Sequence, residues 1–195
     1  MTNKPQWLEA TNNVIRWNQQ RYRQEYDYNL ANKLLREEIS EFATASGLVG
    51  RADAIGDIAF VLIGMLWKLE FQPEFIADIL ADCDPENRSV CFDSADVAHK
   101  INELMMYLHQ NTNCGLLNVL LINAGLEALF CTGWDYLNMI GENESMIAIL
   151  NIICESNATK SVPDELVSKD VKCNIEKGPD YVSPEPALKE LFLEV

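Results

Sequence analysis

Residues 34–42 read LLREEISEF and, about one helix later, residues 53–62 read DAIGDIAFVL. Apolar residues recur at helical spacing in both stretches, so each stretch predicts a helix that buries one face. Similar periodicity runs through most of the chain, with no sustained alternation and no Asn-Gly or Asp-Gly hairpin turn. The sequence therefore predicts an all-α protein, folded as a bundle of helices.

Both stretches carry carboxylates close to their apolar faces. Glu38 and Glu41 are three residues apart and Glu37 and Glu41 are four apart, while Asp53 and Asp57 are four apart on the next helix. Carboxylates gathered in one cleft repel one another and lose hydration unless protons or a cation compensate. Hard cations such as Mg²⁺ take oxygen ligands of this kind. The spacing therefore predicts a magnesium site that handles phosphates.

The alternative for these acids is a solvated helix face, which is the usual role of acidic residues at helical spacing. That alternative applies best to Glu37 and Glu38. It applies least to Asp57, because Asp57 lies in the apolar run from Ile55 to Leu69, where a charge is usually paired, liganded or functional.

Length, composition and charge limit the class of protein. The chain has 195 residues and is 48% hydrophobic, which suits one domain with a sizeable core. Its net charge of −15 argues against a surface that binds nucleic acid or anionic membranes. We find no apolar segment typical of a signal peptide or membrane span, and the six cysteines include no C-x-x-C pair. We expect a soluble, cytoplasmic protein that has no membrane partner and binds no nucleic acid.

Eight helices are predicted, and Gly47 and Gly50 suit a C-cap and turn after the second. A polar segment around residues 84–94 is expected to form a loop. The approximate bounds of the predicted helices are Gln6 to Tyr26, Asn29 to Ala45, Ala52 to Glu70, Pro73 to Asp82, Ser94 to Gln110, Gly115 to Thr132, Glu142 to Ser156 and Ala187 to Leu193.

The C-terminal part is different in kind. Prolines are concentrated around residues 163 and 179–186, which predicts an extended arm that wraps the bundle before the last short helix. We therefore divide the chain into a helical catalytic domain, residues 1–157, and a C-terminal arm, residues 158–195. The arm carries four lysines that could help to hold a triphosphate beside the acids, although surface lysines on a flexible tail are an equal alternative. These lysines are Lys160, Lys169, Lys172 and Lys177.

The two acidic stretches resemble the all-α nucleoside triphosphate pyrophosphohydrolases, the MazG-like and phosphoribosyl-ATP pyrophosphohydrolase-like group. Two further motifs, CESNATK at residues 154–160 and KGPDYVSP at residues 177–184, are similar to the ending of one branch of that superfamily. The resemblance covers about residues 8–69 and 133–192.

The resemblance implies a reaction and a metal. Family enzymes cleave a nucleotide between its α and β phosphates, which releases a monophosphate and pyrophosphate. The metal is Mg²⁺, or Mn²⁺ in its place, and the substrate is a nucleoside or deoxynucleoside triphosphate. The family's assembly, usually a homodimer or homotetramer, implies an oligomer here as well.

The resemblance also implies roles for particular residues. Glu38, Glu41 and Asp57 would hold the metal, Asp53 would be a further ligand, and Glu37 or Asp53 would activate water. The residues that would bind the nucleotide are Asn157, Lys160, Lys177 and Tyr181.

The sequence departs from the family pattern at two places. Ala54 stands where the third helix usually has a glutamate, so that the acids there are Asp53 and Asp57. The stretch from about 70 to 132 is longer than the family's compact core, and we expect an inserted helical pair at about 84–132.

Two alternatives to a general triphosphate pyrophosphohydrolase remain open. One is a diphosphohydrolase of the same fold directed to dUTP or dCTP. The other is a non-catalytic acidic protein that acts as an adaptor or mimics nucleic acid, which the charge of −15 would permit. A nucleic-acid mimic displays its acids outward. Burial of Asp57 would therefore favour an enzyme over the non-catalytic alternative.

Overall fold

The computed structural model describes residues 4–83, 115–132, 146–166 and 177–193. These residues form seven α-helices and contain no β-strand, which confirms the predicted all-α fold. A π-helical turn, Glu127–Thr132, continues the fifth helix. The helices are α1 Lys4–Gln19, α2 Tyr28–Thr44, α3 Gly47–Lys68, α4 Pro73–Cys83, α5 Gly115–Leu126, α6 Met146–Ala158 and α7 Glu185–Leu193.

Helix α3 is the centre of the bundle and packs against the six other described helices. It is apolar around most of its circumference, from Ala52 to Trp67, and a helix of that kind is stable only when neighbours cover it on all sides. Asp53 and Asp57 are its only acids and both are partly buried. Burial of α3 therefore holds its two carboxylates inside the fold.

Helices α2 and α3 form an antiparallel hairpin. Asp27 caps α2, because its Oδ1 accepts a hydrogen bond of 3.0 Å from the backbone N–H of Leu30. The predicted C-cap role of Gly47 and Gly50 is wrong, since Ala45 is the C-cap of α2, and α3 begins at Gly47, five residues earlier than predicted, with Gly50 inside it. The predicted turn is present at Gly47. Gly47 has φ +76°, so the chain reverses at the first residue of α3 in a conformation that favours glycine.

Helix α1 ends at Gln19 and not near Tyr26 as predicted. Side chains of the following residues bind carbonyl groups at the ends of other helices instead of continuing α1. Gln24 donates a 2.8 Å hydrogen bond to the carbonyl of Trp67 at the end of α3, and Arg21 donates to the carbonyl of Lys160. These tertiary hydrogen bonds compete with helix formation in a segment that has little apolar surface to bury.

The remaining bounds differ from the predictions by a few residues. Helix α4 begins at Pro73 as predicted, and α7 begins two residues earlier, at Glu185. The predicted loop at 84–94 and the predicted helix at 94–110 lie outside the described residues, as does the predicted start of α6 at 142. None of the described helices is long and apolar enough to cross a membrane.

Candidate functional site

A cavity of about 270 Å³ lies beside the α2–α3 hairpin. Its walls come from the end of α1, the connection to α2, the facing sides of α2 and α3, and the end of α6. Most of the lining is apolar or aromatic, and the charged side chains lie toward the two ends. The charged side chains are Glu25, Asp27, Glu38, Asp57, Lys68 and Lys160.

The acids Glu38 and Asp57 line the same cavity from α2 and α3. The pKa of Glu38 is raised to about 8, mainly by burial. The neighbouring charges of Asp57, Glu41 and Glu37 contribute the rest of the increase. Burial also raises the pKa of Asp57 to about 7, with Asp53 as the next largest cause. The two carboxylates therefore repel each other and their neighbours in a site poor in water.

The other three acids surround this pair at different depths. Asp53 is partly buried, and burial raises the pKa of its carboxyl while Lys177 opposes that effect. Glu37 and Glu41 are exposed and line a shallow depression on the outer side of α2. Glu37 lies 3.7 Å from the ammonium of Lys33.

Whether these acids suit a divalent cation depends on donor chemistry and on spacing. The donor chemistry fits, because burial first and mutual repulsion second raise the pKa values of these carboxylates, and a bound cation would compensate both effects. In the part of the chain that the structure describes, however, no three His, Cys, Asp or Glu side chains are gathered closely enough to hold a metal ion. Binding would therefore draw the carboxylates together.

The metal-free protein is expected to lose stability as the pH rises from about 5 to about 8. Ordinary pKa values are 4.5 for Glu38 and 3.8 for Asp57, whereas the folded values are about 8 and about 7. Between these values the folded state binds more protons than the unfolded chain, so raising the pH favours unfolding. Thermal unfolding in EDTA at several pH values measures this effect.

The double variant Glu38→Gln/Asp57→Asn is the control for that measurement. It should show a shallower fall of the unfolding temperature with pH, since it keeps the other surface charges and lacks the two raised carboxyls. Equal slopes for the two proteins would contradict the raised pKa values.

The C-terminal arm brings two lysines near the acids. The pKa values of these acids remain raised, but nearby positive charges oppose the increase. Lys160 opposes it at Glu38, Asp53 and Asp57, and Lys177 opposes it at Asp53 and Asp57. Lys160 also lines the cavity. The ammonium of Lys177 lies 4.7 Å from the ring centroid of Tyr181. Of the four residues that the resemblance assigned to the nucleotide, Asn157 and Lys160 line the cavity, whereas Lys177 and Tyr181 do not.

Ser156 and Thr159 fasten the arm to the end of α6. The hydroxyl of Ser156 donates to the carbonyl of Val182 at 2.8 Å, and the backbone N–H of Val182 donates to Thr159 Oγ1 at 2.9 Å. Ser156 Oγ also lies 3.4 Å from the hydroxyl of Tyr181. Asn157, between them, is buried and lines the cavity. Residues 156–159, which read SNAT, therefore join the arm to the cavity wall.

Sequence reasoning missed the aromatic part of the cavity. Trp17 and Phe60 meet edge to face with ring centroids 5.0 Å apart, and Tyr22 lies 5.9 Å from Trp17. At helical spacing Trp17 looks like an ordinary packing residue. The one signal in the sequence was the polar residue Asn18 beside Trp17. In the structure Asn18 is buried, its Nδ2 donates to the carbonyl of Val14, and its side chain lines the cavity.

Lys68 marks the end of the cavity opposite the acid pair. It is eleven residues from Asp57 on α3, which is about 16 Å along a helix. Its ammonium lies 4.5 Å from the ring centroid of Tyr22, and burial lowers its pKa. The cavity therefore has the acid pair Glu38 and Asp57 at one end and the partly buried cation Lys68 near the other.

Comparison with known proteins gives a match to a family model. Residues 10–83 match the family model for phosphoribosyl-ATP pyrophosphohydrolase, and this range includes all five acids of the candidate site. No curated protein and no solved structure matches the chain. The family match indicates a pyrophosphohydrolase of the MazG-like fold and confirms the resemblance read from the acidic stretches. Over residues 10–83 the chain is similar to phosphoribosyl-ATP pyrophosphohydrolase, a family of the all-α NTP pyrophosphohydrolase superfamily.

Proposed function

We propose that the protein is a Mg²⁺-dependent pyrophosphohydrolase that cleaves a nucleoside or deoxynucleoside triphosphate between the α and β phosphates. One observation carries this proposal: an aromatic cavity ends at an acid pair with Lys160 beside it. Flat aromatic walls suit a nucleobase, and a cation held by carboxylates suits phosphates. The family match over residues 10–83 supports the same chemistry.

The proposed metal ligands are Glu38, Glu41 and Asp57, and Asp53 is a further ligand only if Glu37 is the base that activates water. A bound Mg²⁺, or Mn²⁺ in its place, supplies charge for the phosphate oxygens and lowers the pKa of water. Within the chain, Lys160 and Lys177 bind phosphate oxygens, and Tyr181 and Asn157 order the arm and the cavity wall around them.

Water must lose a proton as its oxygen attacks the α phosphorus and the bond to the pyrophosphate breaks. Asp53 is the better placed of the two proposed bases. Its carboxylate is partly buried and feels the charges of Lys177 and Glu41, whereas Glu37 is exposed and paired with Lys33. A carboxylate oxygen of Asp53 accepts the proton, and monophosphate and pyrophosphate leave.

Separate incubation with each NTP and dNTP, with and without Mg²⁺, tests the function. We expect monophosphate and pyrophosphate in equal amounts, only with the metal, and fastest with one base. Activity confined to dUTP or dCTP, and extended to their diphosphates, would favour the directed diphosphohydrolase. No turnover by folded protein would favour the adaptor, although the inward position of Glu38 and Asp57 in the cavity opposes it.

An oligomer is part of the proposal. Helix α5 is apolar on all sides, yet Leu117 and Leu120 are 48% and 57% exposed. Sedimentation should give a homodimer or homotetramer, and the variant Leu117→Glu/Leu120→Glu should lower the assembly mass. An active monomer would contradict this prediction.

Three further expectations stay predictions from the sequence. They are the cytoplasmic location, the division at residue 157 and the inserted helical pair.

A further inference from the structure

Arg21 is a buried cation that the proposed chemistry does not use. Its side chain is 1% exposed, although it belongs to an irregular connection and does not line the cavity. Among the described residues no carboxylate forms an ion pair with it. Burying a charge without a partner of opposite sign is costly, so its hydrogen bonds and packing must compensate.

Two of the four hydrogen bonds that the Arg21 side chain donates to described residues go to backbone carbonyls after the end of α6. Nη2 of Arg21 donates to the carbonyl of Lys160 at 2.9 Å, and Nε donates to the carbonyl of Ser161 at 3.2 Å. Nη1 donates to the carbonyl of Trp17 and to Gln20 Oε1, both at 3.3 Å. A cation beside carbonyls just past a helix C-terminus is also favoured by the helix dipole.

Arg21 and Trp17 act on the same segment. The guanidinium carbon of Arg21 lies 4.5 Å from the ring centroid of Trp17. The indole N–H of Trp17 donates to the carbonyl of Asn157 at 2.7 Å. Trp17 in α1 and Arg21 just after α1 thus donate hydrogen bonds to three backbone carbonyls about 140 residues away in the sequence. These are the carbonyls of Asn157, Lys160 and Ser161.

We propose that Arg21 is a positioning residue: its guanidinium fixes the backbone at Lys160 and the ring of Trp17, and so sets the place of the Lys160 ammonium against the phosphates. This inference rests on the proposed function. The planar guanidinium is needed because it donates in several fixed directions and stacks on the indole ring at the same time. A lysine at this position would supply a point charge and could not reproduce that geometry.

The test is a double-mutant cycle on kcat/KM with the best nucleotide from the substrate panel. Arg21→Met and Lys160→Ala should each lower kcat/KM about tenfold, and the double variant should be no more than about twofold worse than either. Arg21→Lys should recover only part of the loss. Arg16→Met is the matched control, because Arg16 is exposed on α1 and bonds only to Asn13 among the described residues; it should match the wild type. Losses that multiply in the double variant would overturn the proposal.

Hydrogen exchange gives a readout that does not depend on turnover. The amides of Thr159 and Lys160 are hydrogen-bonded to Ser156 and Asn157. They should exchange at least tenfold faster in Arg21→Met and in Arg21→Lys, while amides in the middle of α3 keep their wild-type rates. Unchanged exchange at both amides would overturn the inference. An inactive wild type with faster exchange in the variants would overturn the proposed function and leave the contact between Arg21 and the arm in place.

Discussion

Replacing Asp57 with asparagine is expected to abolish turnover, with a loss on the order of 10³-fold or more in kcat. Asp57 is an acid of the buried core helix, it lines the cavity, and its charge interacts with Asp53 and Glu41 and with both arm lysines. Asparagine has nearly the same shape but cannot supply the charge that a divalent cation needs. The measurement is pyrophosphate release at saturating nucleotide and Mg²⁺.

The fold of Asp57→Asn should be intact, and its unfolding temperature in EDTA at pH 8 should equal or exceed that of the wild type. The reason is that the folded state raises the pKa of Asp57 to about 7, so its ionised form opposes folding at pH 8. Asp78→Asn is the control, since Asp78 is a half-buried acid on α4, outside the cavity, whose carboxylate lies 3.1 Å from Lys4. Turnover should survive in that variant. Normal turnover by Asp57→Asn would remove Asp57 from the proposed metal site.

A second large effect is expected where α3 meets α6. A Cβ atom on Gly56 would overlap Cγ1 of Ile153 and lie 3.1 Å from Cγ2 of Ile149. Gly56→Ala should therefore force α6 away from α3, at a cost of about 1–3 kcal/mol that outweighs the gain of about 1 kcal/mol in helix propensity. Because α6 ends at the cavity wall, kcat/KM should fall as well.

Gly50→Ala on the same helix is the matched control. A Cβ atom there would meet only the Cβ of Ala45, at an ordinary 3.6 Å, so the helix gain of up to about 1 kcal/mol should appear as increased stability. Denaturant unfolding of both variants gives the comparison. Combining Gly56→Ala with Ile153→Ala should remove the penalty of the first substitution, since the overlapping atom is then absent. Equal effects of the two glycine substitutions would contradict the close packing at Gly56.

The first helix of the hairpin, which carries three of the five acids, could be predicted from the sequence because its information is local. The predicted second helix, Asn29 to Ala45, differs from α2 by one residue at each end. Apolar periodicity and the cap at Asp27 are enough to fix such an element. The spacing of the acids along both helices likewise follows directly from the helical repeat.

The other features of the fold and of the cavity depend on long-range contacts that a single sequence does not reveal. The end of α1 is set by the hydrogen bonds of Arg21 and Gln24 to distant carbonyls. The roles of Trp17 and Lys68 depend on which helices face each other, and an aromatic residue at helical spacing looks the same whether it fills a core or lines a cavity. Gly47 was assigned to the wrong helix because a glycine with positive φ can end one helix or begin the next.

The separation of about 140 residues between Arg21 and its carbonyl partners has a consequence for the protein during its synthesis. A ribosome adds roughly 5–20 residues per second, so the acidic hairpin is synthesised about 5–18 s before Lys160 of the arm. During that interval the nascent chain has the carboxylates without Lys160 and Lys177. Under the proposed function, the nascent chain therefore lacks the two cations that bind phosphate until the arm has docked.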